Sequence, residues 1–236
     1  MKLKLYHYWR SSSSWRVRWA FALKKIPCEY VAIDLLKGEQ KSEAHLKRNP
    51  LGAVPVLEIS EGSGASKFLA ESMAIMEWAE ELYPSPKILP GDALQRGLIR
   101  QLSEVINSGT HPLQNLKVKN FYSLARGEPA LAKVRGSAKA LHPDNPRSKD
   151  PEKAKEWGQY WNRQGLQAYE DLVQETAGQF SVGDVLTMAD LCLVPQCYNA
   201  QRIDISLEEF PLIAKIYAAA LKTESSKASH PDQFQP

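Results

Sequence analysis

Four consecutive serines, Ser11 to Ser14, lie between Lys2-Leu3-Lys4-Leu5-Tyr6, which alternates polar and apolar as a strand does, and Trp15 to Lys24, which reads as a helix. A serine at such a strand-to-helix turn can cap the helix, because its hydroxyl oxygen satisfies an orphan N–H of the first turn. The same helix end attracts anions through its free donors and its dipole. A hydroxyl not used as the cap can donate to a bound anion. If that anion is a thiolate, one such bond and the helix end favour the charged form and lower the thiol's pKa from about 8.5 toward neutrality. A second serine, Ser72, follows Glu71 at the head of a helix read from Met73 to Leu82. As an N-cap it offers a place for a ligand carboxylate, with Glu71 able to accept from an ammonium group. Taken alone, each serine is an ordinary cap in a polar turn.

The elements that must position these residues follow from periodicity. On the first helix Val17, Ala20 and Phe21 form one apolar face and Trp15, Trp19 and Leu23 the opposite one, so the helix is expected between a sheet and a second domain. Arg16 and Arg18 fall on the flanks, where solvation is the plain reading, above all for Arg18. Glu29 to Leu35 reads as a strand parallel to the first. Ser42 caps a short helix through Leu46, and Asn49-Pro50 marks a turn. Ala53 to Ile59 is strand-like with Pro55 near its start. The Val54-Pro55 bond is either trans at the beginning of an edge strand or cis, which leaves the backbone groups of Val54 free for a ligand; both remain open at this point. A turn at Glu61-Gly62-Ser63-Gly64 leads to a last short strand at Lys67-Phe68-Leu69, so the first half runs β-α-β-α-β-β-α.

From Ser85 the chain is rich in proline and no comparable strand signal recurs. The boundaries read as an α/β unit over 1–84, a linker over 85–91 and an all-α unit over 92–236. Asp92 caps a helix to about Ile106. Arg126 to Lys149 reads as a basic, solvated insertion, and Asp150-Pro151 opens a helix to about Ala177. Thr187 and Asp190 have capping-box spacing, Pro195 should kink the helix that follows, and Ser206 with Glu209 repeats the box before a last helix from Pro211 to about Leu221. The tail from Ser225 reads as polar and extended. Trp157 and Trp161, one helical turn apart, read as core.

Composition excludes several classes. A net charge of +3 over 236 residues gives no reason to expect nucleic acid or an anionic membrane as partner. No apolar run approaches the roughly 18 residues of a membrane span, and no secretory h-region follows Met1 to Trp9, so a cytoplasmic protein is expected. The three cysteines, Cys28, Cys192 and Cys197, have no zinc-ligand or CxxC spacing and are expected to be buried free thiols; the five histidines are scattered, and no metal site is expected.

A β-α-β-α-β-β-α half joined to a helical half, with a proline-led strand and a Glu-Ser helix start, resembles the cytosolic glutathione transferases, in which a thioredoxin-like domain precedes an all-α domain. Ser11 to Arg18 is similar to the zeta-class signature S-S-C-S-W-R-V-R. Asn49 to Pro55, Glu71-Ser72, His111 to Leu116 and Val182 to Gln196 follow that class in order. The resemblance implies a glutathione-dependent cis-trans isomerase of a maleyl diacid, maleylacetoacetate or maleylpyruvate, with a place in tyrosine and phenylalanine catabolism. A thiolate adds to the conjugated double bond, the bond rotates, and elimination returns glutathione. It further implies that Ser11, with Ser12 and Ser13, activates the thiolate. Gln40, Val54, Pro55, Glu71, Ser72, His111 and Asn115 then grip glutathione, Arg10 and Arg202 face the substrate carboxylates, and the chain forms a homodimer. The plain alternative for His111 is a partly buried polar histidine beside a turn proline. Ser13 departs from the signature, which has cysteine there; a serine hydroxyl hydrogen-bonds but is a poor nucleophile without an adjacent base. Two other readings therefore stand beside the isomerase: a zeta-like transferase acting on haloacids or peroxides, and a non-catalytic interaction protein of the same fold.

Overall fold

The computed structural model describes residues 1–62, 64–115, 118 and 151–236; the insertion expected at Arg126 to Lys149 and the Asp150 cap lie outside them. One four-stranded sheet has the order β2-β1-β3-β4. Strand β1 (Lys2–His7) is parallel to β2 (Glu29–Ala32) and antiparallel to β3 (Val56–Ser60), which pairs antiparallel with β4 (Lys67–Ala70). Helices α1 (Ser12–Lys24), α2 (Glu43–Arg48) and α3 (Ser72–Leu82) complete the expected β-α-β-α-β-β-α order. Strand β2 stops short of Leu35 because the Asp34 carboxylate accepts from the N–H groups of Leu36 and Lys37 and turns the chain.

Beyond α3 the named elements are helices, α4 (Ala93–Asn107), α5 (Pro151–Val173), α6 (Met188–Gln201), α7 (Pro211–Leu221) and α8 (Glu224–Ser229), with one isolated bridge between Ala177 and Gly183 in the loop after α5. Asp92 and Gln95 close a reciprocal capping box on α4. Helix α5 ends at Val173, earlier than the expected Ala177, because the N–H groups of Thr176 and Ala177 both turn back to the Val173 carbonyl. At the head of α6 the buried Asp190 carboxylate accepts from Thr187 N, Thr187 Oγ1 and Ser181 N, so the box ties down the preceding loop as well. The Ser206–Glu209 box does not form. Ser206 instead accepts from Glu208 N over a 3-10 turn, while Glu209 pairs with Arg163 of α5 at 2.8 Å.

Helix α1 packs on α3, α6 and α8. One apolar core joins Leu3, Leu5 and Leu57 of the sheet through Trp15, Val17, Trp19 and Phe21 of α1 to Leu191, Val194 and Cys197 of α6. The reading of α1 as a doubly covered helix therefore holds. Solvation of its arginines does not: Arg16 and Arg18 are both 0% exposed. The extended tail is also overturned. Residues from Thr223 onward form α8 and a 3-10 turn, Pro231–Phe234, lying on α1. The physical reason is hydrogen-bond supply: Ser229 and Ser225 hydroxyls accept from the indole N–H groups of the buried Trp15 and Trp19, at 3.1 and 3.0 Å. Cys192 and Cys197 are buried free thiols and Cys28 is half-buried.

Candidate active site

The four serines divide by parity. Ser12 and Ser14 are buried, Ser11 and Ser13 only partly so. Ser11 is the N-cap of α1, its oxygen accepting from Ser14 N at 3.2 Å. Capping uses only that acceptor, so the same hydroxyl keeps its hydrogen for a second partner. At present that partner lies 3.0 Å away at Ser13 Oγ, and Ser13 in turn donates to the Val54 carbonyl at 3.1 Å. Ser11 thus both caps and can donate, two jobs that sequence reasoning had divided between different serines. Ser12 turns away, donating to the Pro195 carbonyl of α6 at 3.1 Å, and Ser14 accepts from Tyr8 N.

The Val54-Pro55 bond is cis. The carbonyl of the preceding Ala53 accepts from Asn49 Nδ2 at 3.1 Å and meets His45 Nε2 at 3.0 Å, so two buried side chains fix the strand's approach to the serines. Gly52, at φ +58, lies so close to the Gln40 backbone that an added Cβ would come within 3.1 Å of its carbonyl oxygen. This close approach seats Gln40 beside the Val54 loop, with its side-chain Oε1 buried and without a partner among the described residues. Such an orphan acceptor fits a ligand donor.

Ser72 is not the N-cap of α3. Glu71 holds that place at φ +69 without a side-chain cap, while Ser72 Oγ is drawn inward by a hydrogen bond from Arg16 Nη1 at 3.2 Å. Arg16 also donates to Asn107 Oδ1 at 2.6 Å and meets His111 Nδ1 at 3.0 Å, which brings α1, α3 and the turn after α4 together. Burial, with the Arg16 charge beside it, pushes the His111 imidazole down to about 3. Asn115 lies in the same turn, its N–H bonded to the Pro112 carbonyl. Neighbouring Gln114 accepts from Asn199 of α6 at 2.7 Å.

Arg10 holds its guanidinium over the Trp9 ring, 4.6 Å from the centroid, with Nη2 donating to the Tyr8 hydroxyl at 3.2 Å. It therefore stands immediately before the Ser11 cap, held by the ring and the hydroxyl. Arg202 is exposed at the C-terminal end of α6, about 10 Å along the helix axis from Pro195. Gln40, Val54, Ser11 and Ser13 are brought to one end of the sheet, and Ser72 joins His111 through Arg16. Sequence reasoning missed Arg16, His45 and Asn49 as organisers of this region. Arg16 carried a signal, since a charge within a doubly apolar helix has nowhere to go but inward.

Residues 1–81 match the family model described as glutathione S-transferase, N-terminal domain. Over 229 residues the chain is 38% identical to the maleylacetoacetate isomerase of Rattus norvegicus, covering 96% of this chain and 91% of that protein. Over 233 residues it is 37% identical to a glutathione S-transferase of the zeta class from Euphorbia esula, covering 98% of this chain and 91% of that protein. The chain belongs to the zeta-class glutathione transferase family. A crystal structure of maleylacetoacetate isomerase from Anaeromyxobacter dehalogenans 2CP-1, with glutathione bound in its active site, superposes with a TM-score of 0.79 at 41% identity, covering 100% of this chain and 97% of that one. The cytosolic glutathione transferase fold read from the sequence is thus the fold of the chain.

Proposed function

We infer that the chain is a glutathione-dependent isomerase that converts a cis maleyl diacid, maleylacetoacetate or maleylpyruvate, to its trans form. The observation that carries this reading is the Ser11 hydroxyl, which caps α1 by accepting and keeps its hydrogen to donate, 3.0 Å from Ser13 and next to the Val54 carbonyl. When bound, glutathione supplies the thiolate that adds to the conjugated double bond and leaves after rotation. Ser11 donates to that sulfur, and the first-turn N–H groups of α1 add a positive partial charge beside it. The unpartnered Gln40 Oε1, Val54 with Pro55, and Glu71 with Ser72 hold the peptide, and His111 and Asn115 close over it from the helical side. Ser12 contributes at one remove, fixing the helix start against Pro195. Arg10 and Arg202 take the two carboxylates, for which the guanidinium fork is suited.

The chain is read as a glutathione-binding domain over 1–84, a linker over 85–91 and a substrate domain over 92–236. A homodimer is the assembly that the resemblance to the glutathione transferases implies. No described helix is long and apolar enough to cross a membrane, and a cytoplasmic location accords with the reading. Purified protein with glutathione should convert maleylacetone to fumarylacetone. Normal glutathione binding without turnover, beside activity on chloroacetate, would instead favour the haloacid transferase reading; activity on neither would leave the non-catalytic one.

A further inference from the structure

Arg16 is fully buried, forms no ion pair among the described residues, and leaves its Nε without a partner. A buried cation without a carboxylate is costly, and a neutral side chain would serve packing better. Its partners explain its presence. A guanidinium is donor only, so each group it touches must accept there and is left with its own hydrogen pointing elsewhere. Ser72 Oγ accepts from Nη1 at 3.2 Å and keeps its O–H; His111 Nδ1 faces Nη2 at 3.0 Å and must be unprotonated, which puts the ring proton on Nε2. Asn107 fixes the guanidinium plane: its Oδ1 accepts from Nη1 at 2.6 Å, and its Nδ2 faces the Glu104 carboxylate at 3.3 Å, so that carboxylate acts through the amide.

We propose that Arg16 is a positioning residue for glutathione, presetting the Ser72 hydroxyl and the His111 Nε2–H as outward donors and placing an uncompensated positive charge behind the α-amino-acid carboxylate expected at the head of α3. The inference rests on the reading of Ser72 and His111 as glutathione ligands. One side chain of α1 thereby sets two gripping groups carried by different parts of the chain. The α3 N-terminus, where Glu71 takes a left-handed backbone to open the helix, adds its own free N–H groups to the same field. The titratable groups around the cluster are Glu71 ahead of α3, Glu104 of α4 and Cys192 of α6. Arg16 stands against the ring itself, so the ring stays neutral at the pH of the cell.

The test uses the full chain. In nitrogen-15-labelled, ligand-free wild-type protein, long-range proton–nitrogen spectra should show His111 as the Nε2–H tautomer, unchanged from pH 5 to 8. In Arg16→Met the ring, still buried but relieved of the neighbouring charge, should lose its single tautomer and titrate at a higher pH than in the wild type. Calorimetry should find glutathione bound about tenfold or more weakly by Arg16→Met and by an intermediate factor by Arg16→Lys, whose point charge reaches only one partner at a time. The loss should appear in KM for glutathione more than in kcat. A wild-type ring protonated on Nδ1, or titrating between pH 5 and 8, overturns the inference even if the variants fail to fold. Folded Arg16→Met with wild-type affinity does so as well. A wild-type chain that does not bind glutathione overturns the functional reading, and with it the purpose given to Arg16.

Discussion

Arg16 and Arg18 stand two residues apart on one helix, both fully buried and both without an ion pair among the described residues, yet they face different regions. Arg16 meets side chains that retain a hydrogen to pass on. Arg18 meets mainly carbonyls: Tyr8 at 3.3 Å, Trp9 at 3.0 Å and Ser229 at 3.3 Å, with Phe234 stacked 4.6 Å from its guanidinium. A carbonyl only accepts, so the bonds of Arg18 end where they land and fasten the C-terminal segment to the loop before Ser11. The lesson is that a buried arginine's role is read from its acceptors: terminal acceptors make a fastener, and groups with hydrogens of their own make a relay.

The largest expected effect breaks the fastening side. Deleting residues 224–236 removes the acceptors of both indoles and of Arg18 Nε and uncovers one face of Trp15 and Trp19. Burial lost on two indoles at about 25 cal/mol per Å², with the severed hydrogen bonds, amounts to roughly 4 kcal/mol or more, a large part of an ordinary domain's stability. Urea unfolding should show a strongly lowered midpoint; an unchanged midpoint would mean that the segment is an ornament. On the ligand side the effect falls on rate. Ser11→Ala should reduce kcat about 100-fold through loss of the donor to the thiolate, and stability by about 1 kcal/mol through loss of the cap. Ser12→Ala, which only releases Pro195, should lose less than about tenfold in rate. Equal losses in the two variants would mean that the division of the serines by parity carries no function.

The same contrast shows what was legible in the sequence. The sheet, α1, α3 and the serine turn follow from short-range pattern and cap chemistry, and apart from the early end of β2 and the late start of β3 they stand where periodicity puts them. Local caps were also readable at Ser42, Asp92 and Thr187, because each bond spans only a few residues. What was not legible depends on partners far along the chain. Serines 225 and 229 look like a solvated tail until Trp15 and Trp19, more than 200 positions earlier, supply donors that need them. Ser72 has the composition of an N-cap, and only the reach of Arg16 from another helix takes its hydroxyl away from that job. Glu209 likewise satisfies the spacing of a capping box, but Arg163 competes for its carboxylate and wins. The site residues most dependent on tertiary placement, His111 and Arg202, were reached through resemblance alone.

Each buried arginine also faces one imidazole through Nδ1: Arg16 with His111 at 3.0 Å, Arg18 with His7 at 3.1 Å. In both rings burial, and then the adjacent guanidinium, holds the pKa down at about 3, against an ordinary value of 6.5. Because the unfolded chain binds these protons more tightly, the stability they contribute is complete above about 6.5 and is lost progressively as pH falls toward about 3. Between pH 7 and 6 each ring should cost about 0.7 kcal/mol, a figure set by the unfolded value because the folded one lies so far below. Urea titrations at the two pH values should therefore differ by the sum of two equal steps. Replacing His7 with Gln should remove one step without touching glutathione affinity, whereas replacing His111 with Gln should remove the other and weaken glutathione. If both variants behave alike, the fastener and the relay are the same device, and the contrast between the two arginines fails.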